Sequence, residues 1–183
     1  MNNFKFLNIP TPLFAEGITL NDIPKTNISK ISKEKFINKE IFDLLDQLDL
    51  KILFVETFCK KPGGQEAIHI DGSGGDYTKL NWVFGGGDSE MVWYKPIDLT
   101  PKKPALTDTN TLYYSYDRSE VEEIERTVIK NPTLVQVGVP HDIVNVTKGR
   151  LCVSVVIHHK TKLRRPTMQE SIELLKKYIN GNE

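Results

Sequence analysis

Three side chains with the chemistry of metal ligands stand at positions that could meet in a folded chain: His69, Asp71 and His141. Two imidazoles and one carboxylate can hold a divalent metal ion such as iron on one face and leave the other face open. His69 and Asp71 are two residues apart, so on an extended strand their side chains point the same way and can reach one ion. A His-x-Asp pair often arises by chance, and His141 is needed to make it a metal site.

Arg150 adds a second, independent chemical group. On the predicted strand 150–157, alternate positions point to opposite faces, and one face is wholly apolar: Leu151, Val153, Val155 and Ile157. Arg150 begins the other face, which it shares with Cys152 and Ser154, and a hairpin is expected to place it on the strand next to His141. An inward-pointing guanidinium needs an anionic partner, and a dicarboxylic acid bound to the metal would supply one.

The strands that must position these groups are predicted from short β-rich runs. These runs are 51–58, 66–70, 80–84, 91–94, 111–116, 133–137, 142–146 and 150–158. Two of them flank Gly85-Gly86-Gly87, a pattern typical of a β-hairpin. The runs do not alternate with helices, which favours an antiparallel sandwich or jelly roll over a parallel sheet.

Helices are predicted on both sides of the β-rich region. Residues 33–48 carry apolar residues at helical spacing, with Ser32 as N-cap. A second helix, over residues 167–180, begins with a capping box at Thr167. Three prolines within residues 1–30 oppose regular structure, so this segment is expected to be irregular.

A further short helix is expected inside the β-rich region. Asp117 and Glu120 form a capping-box pattern, and the acidic stretch after them continues to Val128. Residues 98–110 show no periodic pattern. Together with the N-terminal segment, they are the predicted source of any lid over a site.

The composition fits one globular domain over residues 1–183, with 39% hydrophobic and 26% charged residues. Basic and acidic residues number 24 each, so no overall charge favours nucleic acid or an anionic membrane as a partner. No signal peptide is recognisable, and two distant cysteines do not describe a disulfide framework, so the cytoplasm is the expected compartment. Frequent Lys, Asn and Ile hint at an AT-rich genome such as that of a virus, for which this would be the host cytoplasm.

The order His-x-Asp, Pro-His-x-x-x-Asn, Arg resembles the motif set of the Fe(II)/2-oxoglutarate-dependent dioxygenases, and especially small oxygenase-like proteins of phages and bacteria. It is formed here by His69, Asp71, His141, Asn145 and Arg150. The resemblance covers residues 51–158, about two-thirds of the chain. It implies a mainly β fold, a double-stranded β-helix or jelly roll, with the two predicted helices flanking it.

The resemblance also implies roles for particular residues. His69, Asp71 and His141 would ligate Fe(II), and Arg150 would bind the distal carboxylate of 2-oxoglutarate. Several relatives carry a serine two residues after the arginine as a second carboxylate donor, and here that position is Cys152.

The implied activity is oxygenation, with O2 and 2-oxoglutarate as co-substrates and with release of succinate and CO2. An aspartate at position 71 favours a hydroxylase over the related halogenases. Asn81 is expected to hydrogen-bond 2-oxoglutarate or the substrate, a small molecule or a peptide. Trp93 and Tyr94 are expected to line the substrate pocket.

Non-catalytic alternatives remain open beside this one. The chain could be a β-sandwich binding module or a phage structural protein with a vestigial metal site. The cupin ligand pattern, His-x-His followed by glutamate, is absent. His158 and His159 point to opposite faces of a strand, so they cannot share an ion, and with the basic residues after them they are expected to form a solvated strand end.

Overall fold

The described residues form two antiparallel sheets of six strands each, which are the main elements of the fold. The computed structural model describes residues 2–64, 67–72, 75–98, 104–130 and 132–180. The first sheet contains β1 Phe4–Phe6, β10 Thr133–Gln136, β5 Thr78–Gly85, β12 Arg150–His159, β3 Leu50–Lys60 and β2 Ile28–Ile31, in that order. The order in the second sheet is β7 Pro104–Leu106, β8 Leu112–Tyr116, β4 Ile68–Asp71, β11 His141–Val144, β6 Glu90–Pro96 and β9 Val121–Val128.

In the described part of the chain, three short α-helices accompany the sheets: α1 Lys33–Phe36, α2 Lys39–Gln47 and α3 Met168–Leu175. The helix predicted over 33–48 does begin after Ser32, whose side chain accepts from the Lys35 amide. It is interrupted because Ile37 is extended and buried, and Asn38 then caps a second helix. The C-terminal helix keeps its Thr167 capping box but is shorter than the predicted 167–180, since a 3₁₀ turn follows it.

Apolar side chains pack against both faces of the first sheet. On its outer face, Ile41 of α2 and Met168 of α3 share one apolar cluster with Leu80, Val153 and Val155. A second cluster lies between the sheets and contains Val83, Met91, Trp93, Val135, Ile143 and Cys152. The predicted alternation along 150–157 is therefore confirmed, since its apolar set packs against the helices and Cys152 faces the other sheet.

The helix predicted from Asp117 to Val128 is wrong. The Asp117 amide does donate to the Glu120 carboxylate, but this capping box closes a single 3₁₀ turn. From Val121 onwards the chain is strand β9. Its backbone is paired with β6, and neighbouring residues differ in burial with a period of two, which a helix could not provide.

Both predicted hairpins are also wrong. Strands β5 and β6 belong to different sheets, and so do β11 and β12. Gly85, Gly86 and Gly87 all have positive φ, and they lead the chain from one sheet to the other. A Cβ on Gly85 would lie 2.3 Å from the Gly149 carbonyl oxygen, so the two crossings pass in direct contact.

The N-terminal segment is more regular than predicted. Within residues 1–30 it contributes β1 and most of β2, and a 3₁₀ turn covers Leu20–Asp22. In the predicted loop 98–110, β7 is present, and residues 99–103 lie outside the described residues, as does residue 66 of the predicted strand 66–70. Among the described helices, none has the length and apolarity required to cross a membrane.

We expect the layer between the first sheet and the helices to dominate stability. Leu80 is 0% exposed, whereas Leu53 on the same sheet is 42% exposed. Leu80→Ala should lower the free energy of unfolding by about 2–5 kcal/mol, because it leaves a cavity in a packed core. Leu53→Ala should change it by less than about 0.5 kcal/mol. Urea denaturation of both variants measures the difference, and equal losses would contradict this description of the core.

Candidate metal centre

His69, Asp71 and His141 come together at the centre of the second sheet. Strands β4 and β11 are neighbours there, and His141 is directly opposite His69 in their register. Their imidazole centroids are 4.5 Å apart, and Asp71 Oδ1 is 3.6 Å from His69 Nε2. One ligand atom from each of the three residues lies within 4.8 Å of the others, so together they could hold a metal ion.

The two imidazoles are oriented in the same way by the backbone. His69 Nδ1 is 2.8 Å from the carbonyl oxygen of Ala67, and His141 Nδ1 is 2.9 Å from that of Val139. When Nδ1 donates to a carbonyl, the neutral ring carries its lone pair on Nε2. Both rings can therefore offer Nε2 as a metal ligand, with the backbone fixing the tautomer.

The carboxylate of Asp71 contacts a buried lysine that the sequence analysis missed. Lys79 on β5 places its Nζ 2.7 Å from Asp71 Oδ2 and 3.3 Å from Glu56 Oε2, and Glu56 is itself fully buried on β3. Burial alone would raise the pKa of Asp71, but the charge of Lys79, followed by those of the two histidines, holds this pKa well below its usual range. Burial would lower the pKa of Lys79, and the charges of Asp71 and Glu56 instead raise it.

A sequence signal for this pair did exist. Lys79 is two residues before Asn81, and Glu56 directly follows the apolar run at residues 52–55. A charge on a strand that is buried on both faces has to meet an opposite charge. The pattern alone could have indicated that Lys79 and Glu56 have internal partners, but it could not have indicated which ones.

Arg150 lies in the same cavity as the three candidate ligands, although it reaches it from the opposite sheet. The cavity has a volume of about 50 Å³, and its lining includes Asn81, Cys152 and Ser154. Arg150 is 5% exposed, and its Nε atom has no hydrogen-bond partner among the described residues. A buried guanidinium nitrogen without an acceptor is the arrangement expected where an anionic ligand completes the site.

Because Gly86 has no side chain, the Arg150 side chain can occupy the space beside it. A Cβ on Gly86 would lie 3.1 Å from Arg150 Cγ and 2.6 Å from Ser89 Oγ. Further along the strand of Arg150, the Ser154 hydroxyl donates to Asn81 Oδ1 at 2.8 Å. Since this bond uses the amide oxygen, Asn81 can offer a ligand in the cavity its N–H groups.

Trp93 and Tyr94 are not brought to this cavity. Trp93 is fully buried between the sheets, where its Nε1 donates to the Gln136 carbonyl oxygen at 2.8 Å. Tyr94 points to the opposite face of the second sheet, and its hydroxyl donates to Asp142 at 2.9 Å. Neighbouring residues of one strand point in opposite directions, so at most one of them could have faced the metal ligands.

A larger cleft of about 320 Å³ adjoins the candidate ligands on another side. His69, Asp71, Glu56 and Phe58 line it on the side of the metal centre. Its other lining residues include Leu106, Thr107, Asp108, Thr111 and Tyr113. Beside hydroxyl and apolar groups, this part of the lining includes the carboxylate of Asp108, and no lysine or arginine is among the described lining residues.

The side chains of His158 and His159 have different surroundings. The solvated strand end expected for them is only partly confirmed, because His159 is buried. His159 is 3% exposed and lies 3.7 Å from Asp49 and 3.6 Å from Glu170. The basic residues that follow are largely exposed, and Lys162 and Arg164 pair with Glu170 at the start of α3. This pairing folds the segment back over the His159 ring.

No protein-family model matches this sequence, and no curated protein matches it either.

The environment of Tyr94 gives a prediction for its titration. Burial, followed by the hydrogen bond to Asp142, raises the pKa of Tyr94 to about 12. Because folding favours the neutral phenol, this stabilisation is present below the ordinary value of 10.0 and is lost as the pH rises through about 12. The absorbance of tyrosinate should show one late transition, which Tyr94→Phe removes. Since Tyr94 faces away from the candidate ligands, this variant should bind metal as wild type does.

Proposed function

We propose that this protein is an Fe(II)- and 2-oxoglutarate-dependent oxygenase of the hydroxylase type. The proposal depends mainly on one observation. A His-Asp-His ligand set lines the same cavity as a buried arginine whose Nε has no hydrogen-bond partner among the described residues, although the two come from different sheets. The first group suits a divalent metal with open positions, and the second suits the far carboxylate of a bound organic acid.

The arrangement of the strands supports a double-stranded β-helix. Strands β3, β4, β5 and β6 belong alternately to the first and second sheets, and β9, β10, β11 and β12 continue the alternation from the second sheet. A jelly roll has this alternation, because each crossing takes the chain from one sheet to the other. The ligands of β4 and β11 then face the first sheet, which carries Arg150 on β12.

His69, Asp71 and His141 would hold Fe(II), which when bound supplies the activation of O2 coupled to the oxidation of 2-oxoglutarate to succinate and CO2. The chain contributes orientation of the metal ligands and exclusion of water. The backbone carbonyls of Ala67 and Val139 fix the two imidazoles, and Lys79 fixes the carboxylate.

Arg150 would bind the carboxylate of 2-oxoglutarate that lies away from the metal. Cys152 stands where several proteins with this motif have serine, and a thiol is a weaker donor than a hydroxyl. The N–H groups of Asn81 are available on the adjacent strand to compensate, because Ser154 occupies its oxygen. The cleft lined by Leu106–Thr111 would receive the substrate.

Metal and co-substrate should each stabilise the fold. In the absence of O2, Mn(II) should raise the free energy of unfolding, and 2-oxoglutarate should raise it further only when metal is present. A ligand at about 100 times its dissociation constant adds about 2.7 kcal/mol. His69→Ala should remove both increments, whereas Arg150→Met should remove only that of 2-oxoglutarate. Thermal denaturation monitored by circular dichroism measures both.

Arg126→Met is the matched control, because Arg126 is a half-exposed arginine on the outer edge of the second sheet. It should keep both increments. An increment from 2-oxoglutarate that is as large in Arg150→Met as in wild type would contradict the role given to Arg150.

Catalysis should be detectable without the natural substrate. With Fe(II), 2-oxoglutarate and O2, the protein should release succinate slowly, and nuclear magnetic resonance can follow its formation. His141→Ala should reduce the rate by at least about 100-fold, because the loss of a mere hydrogen-bond partner of a ligand can cost about 10–100-fold. Binding of both ligands with no succinate formed would instead support a non-catalytic binding module.

A further inference from the structure

Lys79 is the most deeply buried cation at the candidate metal centre, and a ligand is not needed to explain its burial. It is 3% exposed, and its Nζ lies between Asp71 Oδ2 on the second sheet and Glu56 Oε2 on the first. An ammonium group taken out of water costs several kcal/mol unless anions compensate it. Two carboxylates provide that compensation, so Lys79 is firmly held.

The contact with Lys79 gives the two carboxylate oxygens of Asp71 different surroundings. Lys79 is 2.7 Å from Oδ2, whereas Oδ1 lies on the side of the imidazoles, 3.6 Å from His69 Nε2. At 2.7 Å, an ammonium–carboxylate contact is a short, charge-assisted hydrogen bond. Oδ2 is therefore engaged by the protein, and Oδ1 is the oxygen presented to a metal.

Glu56 prevents Lys79 from moving away. Its Oε2 contacts Lys79, and its Oε1 accepts hydrogen bonds from the hydroxyls of Thr111 and Thr109. Glu56 is thus fixed at both oxygens, and it holds the lysine from the side opposite Asp71. A continuous series of polar contacts therefore runs from the hydroxyls of Thr109 and Thr111, through Glu56 and Lys79, to the candidate metal ligand Asp71.

We propose that Lys79, held by Glu56, is a positioning residue that makes Asp71 bind the metal through one oxygen only. This inference rests on the metal centre of the proposed function. Two imidazoles and one carboxylate oxygen take three of the six positions of an octahedral ion, and three positions stay open. Carboxylates can also bind a metal through both oxygens, and a released Asp71 would then close one of the three. Lys79 thereby preserves the open positions that a chelating co-substrate and O2 need.

The test counts water molecules on bound Mn(II), with no co-substrate and no turnover. Electron paramagnetic resonance of Mn(II) in water enriched in oxygen-17 gives this count from the line broadening. Wild type should carry three waters. Lys79→Met should still bind Mn(II), since all three ligands remain, but it should carry two waters. Lys79→Arg keeps a cation beside Oδ2 and should restore three.

Lys33→Met is the matched control, because Lys33 is a partly buried lysine that donates to the Ile52 carbonyl oxygen, away from the candidate ligands. It should carry three waters. If Lys79→Met does not fold because Glu56 loses its counter-ion, the double variant Lys79→Met/Glu56→Gln removes both charges, and it too should carry two.

The outcomes separate this inference from the proposed function. If wild type and Lys79→Met both carry three waters, the role of Lys79 is wrong and the metal centre stays intact. Three waters in the double variant Lys79→Met/Glu56→Gln would have the same meaning. A merely structural role of Lys79 would give that result together with a lower melting temperature. Wild type that binds no Mn(II) would overturn the metal centre and this inference together.

Discussion

The ion pairs of one buried lysine connect the two sheets at the candidate metal centre. Lys79 extends from the first sheet to Asp71 on the second, and Glu56 on the first sheet contacts the same ammonium group. Removing Lys79 would leave two buried carboxylates without their shared cation, which is strongly unfavourable. The position of Asp71 relative to the two histidines therefore depends on contacts that cross the interior, as well as on its own strand.

Close backbone approach is the second constraint on the site. The glycines that lead from β5 to β6 run against Gly149, and the missing side chain of Gly86 leaves room for Arg150. Arg150 can then enter the cavity from the first sheet and face histidines on the second. The site is thus assembled between two sheets: the first contributes Arg150, Lys79 and Glu56, and the second contributes the two histidines and Asp71.

Much of the site could be predicted from local pattern. The spacing of His69 and Asp71, and the apolar alternation after Arg150, indicated which side chains share a face, because side-chain direction along a strand has a period of two. For Trp93 and Tyr94, the local sequence pattern was not sufficient. Their aromatic character was compatible with a pocket, but Trp93 packs in the apolar layer between the sheets and Tyr94 lies on the opposite face of its sheet, which only the packing of the sheets decides.

The sequence by itself determined most strands, the two flanking helical regions, and the set of His69, Asp71, His141 and Arg150, since these follow from residue type and spacing. Only the tertiary structure decided the sheet to which each strand belongs, and so it replaced two expected hairpins with crossings. It also turned the acidic segment after Glu120 into a strand and paired Lys79 with its two carboxylates. The physical reason is the same in each case. Backbone hydrogen bonds and buried charges are satisfied by partners distant in sequence, and the local spacing of residues does not indicate which partners these are.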